Sequence, residues 1–313
     1  MQSSKKNLIL GAVRGYSFEQ LRPFVASLKC TTFVGDLVLL WNNLGPETLA
    51  ALGAHGVKLV HFEYRGSGSL NSWSRFWPVL APIVRLCKGS DLARKIFKSI
   101  LPLQSARFLA YRDFISAHSG EYNNVLITDV RDVFFQADPF YGFNGGLMVF
   151  EENGMVQLAD EKLYNAKWVE ELFGTEALAQ IGRFPILCSG TIIGEAGAMI
   201  RYLIEFERLL CDAQNLGTGG SDQGLHNYLC RSKTAQWIQI AKNGEGPILT
   251  MVPTLRQGVD FNVSDSGLVL NSAGSPVKLL HQYDRHPELA TRLIRKLGFG
   301  LPLSNKGIVL HED

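Results

Sequence analysis

The chain has 313 residues, 46% of them hydrophobic and 19% charged, an ordinary globular composition with apolar material for a large core in one α/β domain or two smaller ones. Lysine and arginine number 31 against 29 aspartate and glutamate, a net charge of +2, which excludes the basic excess of a nucleic-acid binder. The cysteines (Cys30, Cys87, Cys188, Cys211, Cys230) are odd in number, widely spaced and without C-x-x-C, which speaks against a structural zinc site or a disulfide framework and for a reducing compartment.

At the N-terminus, Lys5 and Lys6 precede an apolar run too short for a signal h-region or a membrane span, and no later run reaches spanning length. The expected location is the cytoplasm, with contact at a membrane periphery left open. Asn7 to Val13 predicts a buried strand that exits at Arg14-Gly15. Ser17-Phe18-Glu19-Gln20 has capping-box form, and Phe18, Leu21, Val25 and Leu28 follow at helical spacing, with Pro23 expected to delay or kink the start. Leu37 to Trp41 is the second strand. Pro46 and Gly56 bracket a short helix, Glu47 to His55, and Val57 to Phe62 is the third strand. This β-α-β-α-β order implies a parallel sheet with helices on both faces.

Residues 66–120 break the rhythm. GSGSLNS predicts a flexible loop, SWSRFWPVLAPIVRL carries two tryptophans, and KGSDLARKIFKSILPL is basic and amphipathic. Residues 72–104 read as a helical insertion whose Arg85, Lys88, Arg94, Lys95 and Lys98 form a solvated basic face. The other reading is a surface, 84–104, that meets lipid or an acceptor. A helix from Ser105 to His118 leads into a fourth strand, Asn124 to Thr128. Further on come a strand at Gly145 to Phe150, helical segments from about 159 to 181, and a strand at Leu187 to Gly194. Met199, Leu203, Phe206 and Leu210 mark an amphipathic helix, and a glycine loop enters another helix at Ser221. Turns and strands fill the last third. No repeat or linker interrupts what reads as one continuous domain.

The chemistry concentrates at VLITDVRDVFFQADPF, residues 125–140. In an open parallel sheet, ligands collect beyond the carboxyl ends of the strands, and Asp129 and Asp132 stand at such an end. Residues three apart on an extended strand face opposite sides, so the two carboxylates converge only if the chain turns after Thr128. Converging carboxylates share a proton or hold a metal, and hard oxygen ligands suit Mg²⁺ or Mn²⁺ with substrate phosphates as further ligands. The alternative is a plain turn in which Arg131 neutralises a neighbour. Arg14, at the end of the first strand, stands where a phosphate or base would lie. Thr218-Gly-Gly-Ser-Asp222-Gln223 sets polar side chains at a helix start, where Ser221 is also a natural cap. His281 follows an apolar run, and an imidazole is a natural third ligand for a metal held by carboxylates. Trp73, Phe76, Trp77 and Trp168 either stack on sugar rings or are buried.

The order of these pieces resembles nucleotide-sugar glycosyltransferases of the GT-A fold. TDVRDVFFQADPF resembles their acidic Asp-x-Asp motif, CSGTIIG their central Ser-Gly strand, GGSDQGLHNYL their Asp-Gln element, and HQYDRHP their late metal-binding histidine. The resemblance implies a GT-A-like (Rossmann-like) α/β fold, with a mostly parallel central sheet and helices on both faces. Residues 1–145 would bind the nucleotide-sugar, 146–290 the acceptor, and 291–313 would be a tail. It implies a nucleoside-diphosphate sugar donor of UDP or GDP type and a glycan or lipid-linked acceptor. Mn²⁺ or Mg²⁺ would be held by Asp129, Asp132 and His281. Arg14 and Arg285 would add charge at the phosphates, Arg107 and Arg112 would lie near the nucleotide, and Asp129, Ser189 and Gly190 would line the donor site. Asp222 would contact the sugar or the acceptor hydroxyl, as general base if the reaction inverts; if it retains, Asp222 or Gln223 would sit on the reacting face.

One departure from the family pattern stands out. The usual Asp-x-Asp is Asp129-Val130-Arg131 here, with the second acid one place later at Asp132. Either Asp132 is the main ligand, or both acids contribute through a turn, or Arg131 takes over part of the charge. Two alternatives are weaker. A sugar nucleotidyltransferase needs a richer glycine signature than GAVRGYS, and a phosphohydrolase with its acid on the first strand finds none in Asn7 to Val13. A non-catalytic carbohydrate-binding protein on the same fold is the third reading, kept open by Arg131.

Overall fold

The computed structural model describes residues 5–64, 76–152, 154–216, 220–232, 235–251 and 261–298. The first apolar runs form β1 (Lys6–Arg14), β2 (Gly35–Asn42) and β3 (Lys58–His61), linked by α1 (Phe18–Lys29) and α2 (Pro46–Ala54). After the insertion helices α3 (Trp77–Leu86) and α4 (Asp91–Ile100), α5 (Leu103–Ala117) leads into β4 (Tyr122–Thr128). Then follow β5 (Val133–Phe135), β6 (Leu147–Glu151), α6 (Asn165–Phe173), α7 (Thr175–Ile181), β7 (Leu187–Glu195), α8 (Ala196–Asp212) and α9 (Ser221–Arg231). The last third holds β8 (Ile238–Ala241), β9 (Ile248–Thr250), β10 (Asn262–Val263), β11 (Val269–Leu270), β12 (Leu279–His281) and α10 (Pro287–Lys296).

Seven strands make the central sheet in the order β3-β2-β1-β4-β7-β6-β8. Only β7 runs against its neighbours β4 and β6; every other pair is parallel. The strands are apolar on both faces because helices or a second sheet cover each side. Side-chain alternation divides the core. Leu8, Leu10, Val38, Val125 and Ile127 pack under α5 and α8, while Ile9, Leu39 and Leu126 pack with Phe24 of α1 and Phe135 of β5. Phe108 of α5 stacks on Phe206 of α8, with centroids 4.3 Å apart. Pairing of β4 with β7 (Val125 opposite Gly194) and one shared core join residues 1–145 to 146–290.

A smaller sheet, β5-β12-β9, lies against the main one, and sequence pattern alone does not foretell it. It sets His281 opposite Val133 and Thr250, one place from Asp132.

Several expectations change. The first helix starts at Phe18, ahead of Pro23, which lies inside it; the Ser17 N–H donates to Gln20 Oε1 at 3.0 Å. The cations of the basic insertion stay at the surface, as a solvated face would, and several of them find acidic partners there. Lys88 pairs with Asp212 at 2.5 Å, Lys98 with Asp113 at 3.0 Å, Arg94 with Asp113 and Glu207, and Arg85 donates to the Ala213 carbonyl at 3.1 Å. Solvent also meets an apolar face of α3, with Val79 68%, Ile83 47% and Leu86 92% exposed. Trp77 is buried, its Nε1 donating to the Ala213 carbonyl at 3.2 Å, so it is a core residue and no sugar platform. The GSGSLNS loop, Trp73, Thr218 and Gly219 lie outside the described residues. Residues 291–296 continue α10, with Leu293 and Ile294 buried, where a tail was expected.

Candidate active site

The chain does turn after Thr128. The Asp129 N–H donates to the Gly190 carbonyl at 2.7 Å, Val130 is buried, and Asp132 emerges at the start of β5. Gly11 allows this turn, because a Cβ there would stand 2.4 Å from Val130 Cγ2. The Gln282 N–H donates to the Asp132 carbonyl at 2.7 Å and ties the histidine-bearing strand to the turn. Ligand atoms of Asp129, Asp132 and His281 then lie within 4.8 Å of one another. Two acids three apart and an imidazole from the last third of the chain thus meet at the carboxyl end of β4.

These three residues suit a hard divalent ion. They offer two carboxylates and one imidazole, and His281 Nε2 is buried with no hydrogen-bond partner, although Asp129 Oδ2 stands 3.3 Å away. The space among them is open because residue 190 is glycine: a Cβ would stand 2.6 Å from Asp129 Oδ2 and 2.9 Å from His281 Nε2. Burial pushes the Asp129 carboxyl up, but Arg107 and then His281 outweigh it and hold it well below the usual carboxylate range. Asp132 goes the other way. Burial raises it, and the nearby Asp129 and Asp284 charges raise it further against the pull of His281 and Arg131. Arg131 donates to Asp284 at 2.8 Å and lies 3.7 Å from Asp132, so it sits beside the triad and takes no place in it.

The opposite wall comes from α9. Its N-cap is Gly220, at φ 95°, pressed so closely on Trp168 that a Cβ would stand 2.1 Å from the indole. Ser221 is therefore the first helical residue and not the cap, and its Oγ lies 3.1 Å from Ser105 Oγ. Asp222 is buried, and its Oδ2 accepts from Ser189 Oγ at 3.1 Å and from Arg107 Nη2 at 3.3 Å. Arg107 also donates to Asp129, so one guanidinium joins the two carboxylate groups across the cleft. Gln223 Nε2 donates to Glu152 Oε1 and Asn165 Oδ1, both at 2.9 Å.

A cleft of about 330 Å³ is lined by Arg14, Arg107, Asp129, Asp132, Ser189, Gly190, Asp222, Gln223 and His281, together with Tyr16, Arg131 and Trp168. Arg14 donates to Asn42 Oδ1 at 3.3 Å and lies over the Tyr64 ring. Arg285 stands at the rim, 3.8 Å from Asp132 and outside the lining. Arg112 is a correction. It sits five residues beyond Arg107, about 140° further round the helix, and pairs with Glu207 of α8 at 2.5 Å, away from the cleft. Tyr16, Glu152 and Asn165 escaped the reading of the sequence. Glu151-Glu152 carries the same signal as Asp129, acids at the carboxyl end of an apolar strand.

No protein-family model and no curated protein matches the sequence. The fold does have relatives among solved structures. The galactosyltransferase LgtC, in complex with donor and acceptor sugar analogues, superimposes with a TM-score of 0.53 at 12% identity, over 95% of this chain and 98% of that one. An active-site mutant of LgtC gives a TM-score of 0.50 at 12% identity, over 90% and 95% of the two chains. The architecture is that of the GT-A glycosyltransferases.

Proposed function

We propose that the protein is a glycosyltransferase that moves a sugar from a nucleoside-diphosphate donor, of UDP or GDP type, to a hydroxyl of a glycan or lipid-linked acceptor. The observation that carries this reading is the meeting of Asp129, Asp132 and His281 with Asp222 and Gln223 in one cleft of a GT-A fold. Asp129, Asp132 and His281 would hold Mn²⁺ or Mg²⁺, which when bound supplies Lewis-acid charge to a departing diphosphate. Arg14 lies at the same rim of the sheet and adds positive charge for the phosphates or a face for the base. Arg107 keeps Asp129 ionised and ties it to Asp222. The Asp222 oxygen that Ser189 and Arg107 leave open, Oδ1, accepts a hydroxyl of the sugar or of the acceptor. Trp168 walls the sugar side. Residues 1–145 supply most of the donor contacts and 146–290 those of the acceptor.

A cytoplasmic location fits the five free cysteines, and among the described residues no helix is long and apolar enough to cross a membrane. Contact of 84–104 with a membrane surface, if a lipid carries the acceptor, would use the apolar side chains Leu86 and Leu92, which are 92% and 53% exposed.

Incubation with a panel of UDP- and GDP-sugars, with and without Mn²⁺ or Mg²⁺, tests the reading. Release of free UDP or GDP from one donor, dependent on the ion and lost in Asp132→Ala, is expected. Pyrophosphate release, or no release from any donor by a folded protein, overturns it.

A further inference from the structure

The Gln223 amide is held from behind in one orientation. Both hydrogen bonds of the side chain are made by Nε2, to Glu152 Oε1 and to Asn165 Oδ1. Asn165, in particular, cannot trade its acceptor for a donor. Asn165 is fully buried, and its own Nδ2 donates to Glu161 Oε2 at 3.1 Å, so its oxygen is the end that meets Gln223. Glu161, also fully buried, accepts from the backbone N–H groups of Leu163, Tyr164 and Asn165, which fixes it as an acceptor throughout. Glu152 is 3% exposed, and its Oε1 accepts from Gln223 at 2.9 Å. With both Nε2 protons committed, the carbonyl oxygen is the end of the amide left for the cleft that Gln223 lines.

We infer that Glu152 and Asn165 are positioning residues that set the Gln223 amide with Oε1, and not Nε2, toward the bound sugar. The inference rests on the reading of the cleft as a sugar-nucleotide site. A carbonyl oxygen accepts a sugar hydroxyl and turns partial negative charge toward an electron-poor anomeric carbon; a reversed amide would present partial positive charge and oppose it. The chain from Glu161 through Asn165 to Gln223 thus carries one piece of information, the direction of a dipole, from a buried carboxylate to the cleft.

Two variants and their combination test this. Glu152→Gln replaces an acceptor carboxylate by an amide that donates equally well, so Gln223 is free to turn over. Turnover of the active donor is expected to fall roughly tenfold or more, with KM for that donor little changed and UDP or GDP binding in the presence of Mn²⁺ kept. Gln223→Glu still offers an oxygen to the cleft but sets a carboxylate against Glu152, and is expected to lose both turnover and melting temperature. Combining Gln223→Glu with Glu152→Gln exchanges donor and acceptor across that one contact but leaves the new carboxylate facing Asn165 Oδ1, so a partial recovery of melting temperature over Gln223→Glu alone is expected. Wild-type turnover in Glu152→Gln, or a double variant no better than Gln223→Glu alone in melting temperature, overturns the inference. The melting-temperature comparison needs no substrate. If the native chain turned over no donor, the functional reading would fail while this comparison still decided the hydrogen-bond network.

Discussion

Gly190 is where a single methyl group decides most. Gly190→Ala would place its Cβ between Asp129 Oδ2 and His281 Nε2, so on the proposed function a rise in melting temperature with Mn²⁺ and a nucleoside diphosphate is expected for the native protein and not for this variant. A thermal-shift titration checks this, with the ligand-free variant as the control for folding. A second residue-scale prediction concerns His226, fully buried on α9 with Nδ1 2.7 Å from the Tyr202 hydroxyl. Burial, helped by Arg231, pushes its pKa down to about 3 from 6.5. Between those values the unfolded chain binds the proton and the folded one does not, so stability falls as pH falls below the unfolded value, at up to about 1.4 kcal/mol per pH unit. Urea denaturation from pH 7 to pH 4 is expected to show a shallower slope in His226→Gln by that amount; equal slopes would refute it. The triad was legible in the sequence because acids at the end of an apolar run are out of place there. Arg107 and Arg112 were not separable, since only the rotation between them on α5 decides which faces the cleft. Glu152 and Asn165 were illegible for another reason: their meaning arises only when β6, α6 and α9 pack together.

Among the elements, α5 brings Arg107 to the cleft and is packed on α8 through the Phe108–Phe206 stack. Phe206→Ala is expected to cost about 3–5 kcal/mol in urea denaturation, the usual loss for a deleted core phenylalanine. A loss below about 1 kcal/mol would mean that the core closes over the gap. The long apolar strands and amphipathic helices could be read in advance because each carries its own periodicity. The three-residue strands β5, β9 and β12 could not. They are too short to show a period, and β12 pairs with partners far away in sequence. The pairing of the basic face of α3 and α4 was hidden for a related reason. Charge spacing shows that cations share a side of a helix, but not that Asp113, Glu207 and Asp212 wait opposite them.

At the scale of the whole molecule, the two halves are one folding unit. β7 sits between β4 and β6 and supplies the hydrogen bonds of the facing edge of each. Residues 1–145 expressed alone would leave the inner edge of β4 open along its length, and no cooperative thermal transition is expected from that fragment by circular dichroism. A sharp transition would instead define a separable N-terminal domain.

The small sheet has a consequence for how the protein is made. His281 is delivered by a strand wedged between β5 and β9, near the end of the described chain, whereas both aspartates are synthesised before its midpoint. A nascent polypeptide can therefore complete the main sheet on the ribosome while the Asp129, Asp132 and His281 group still lacks its histidine. If the proposed ion binds there, its capture would be the closing event of biogenesis, and a product terminated before β12 would have the two aspartates without the histidine.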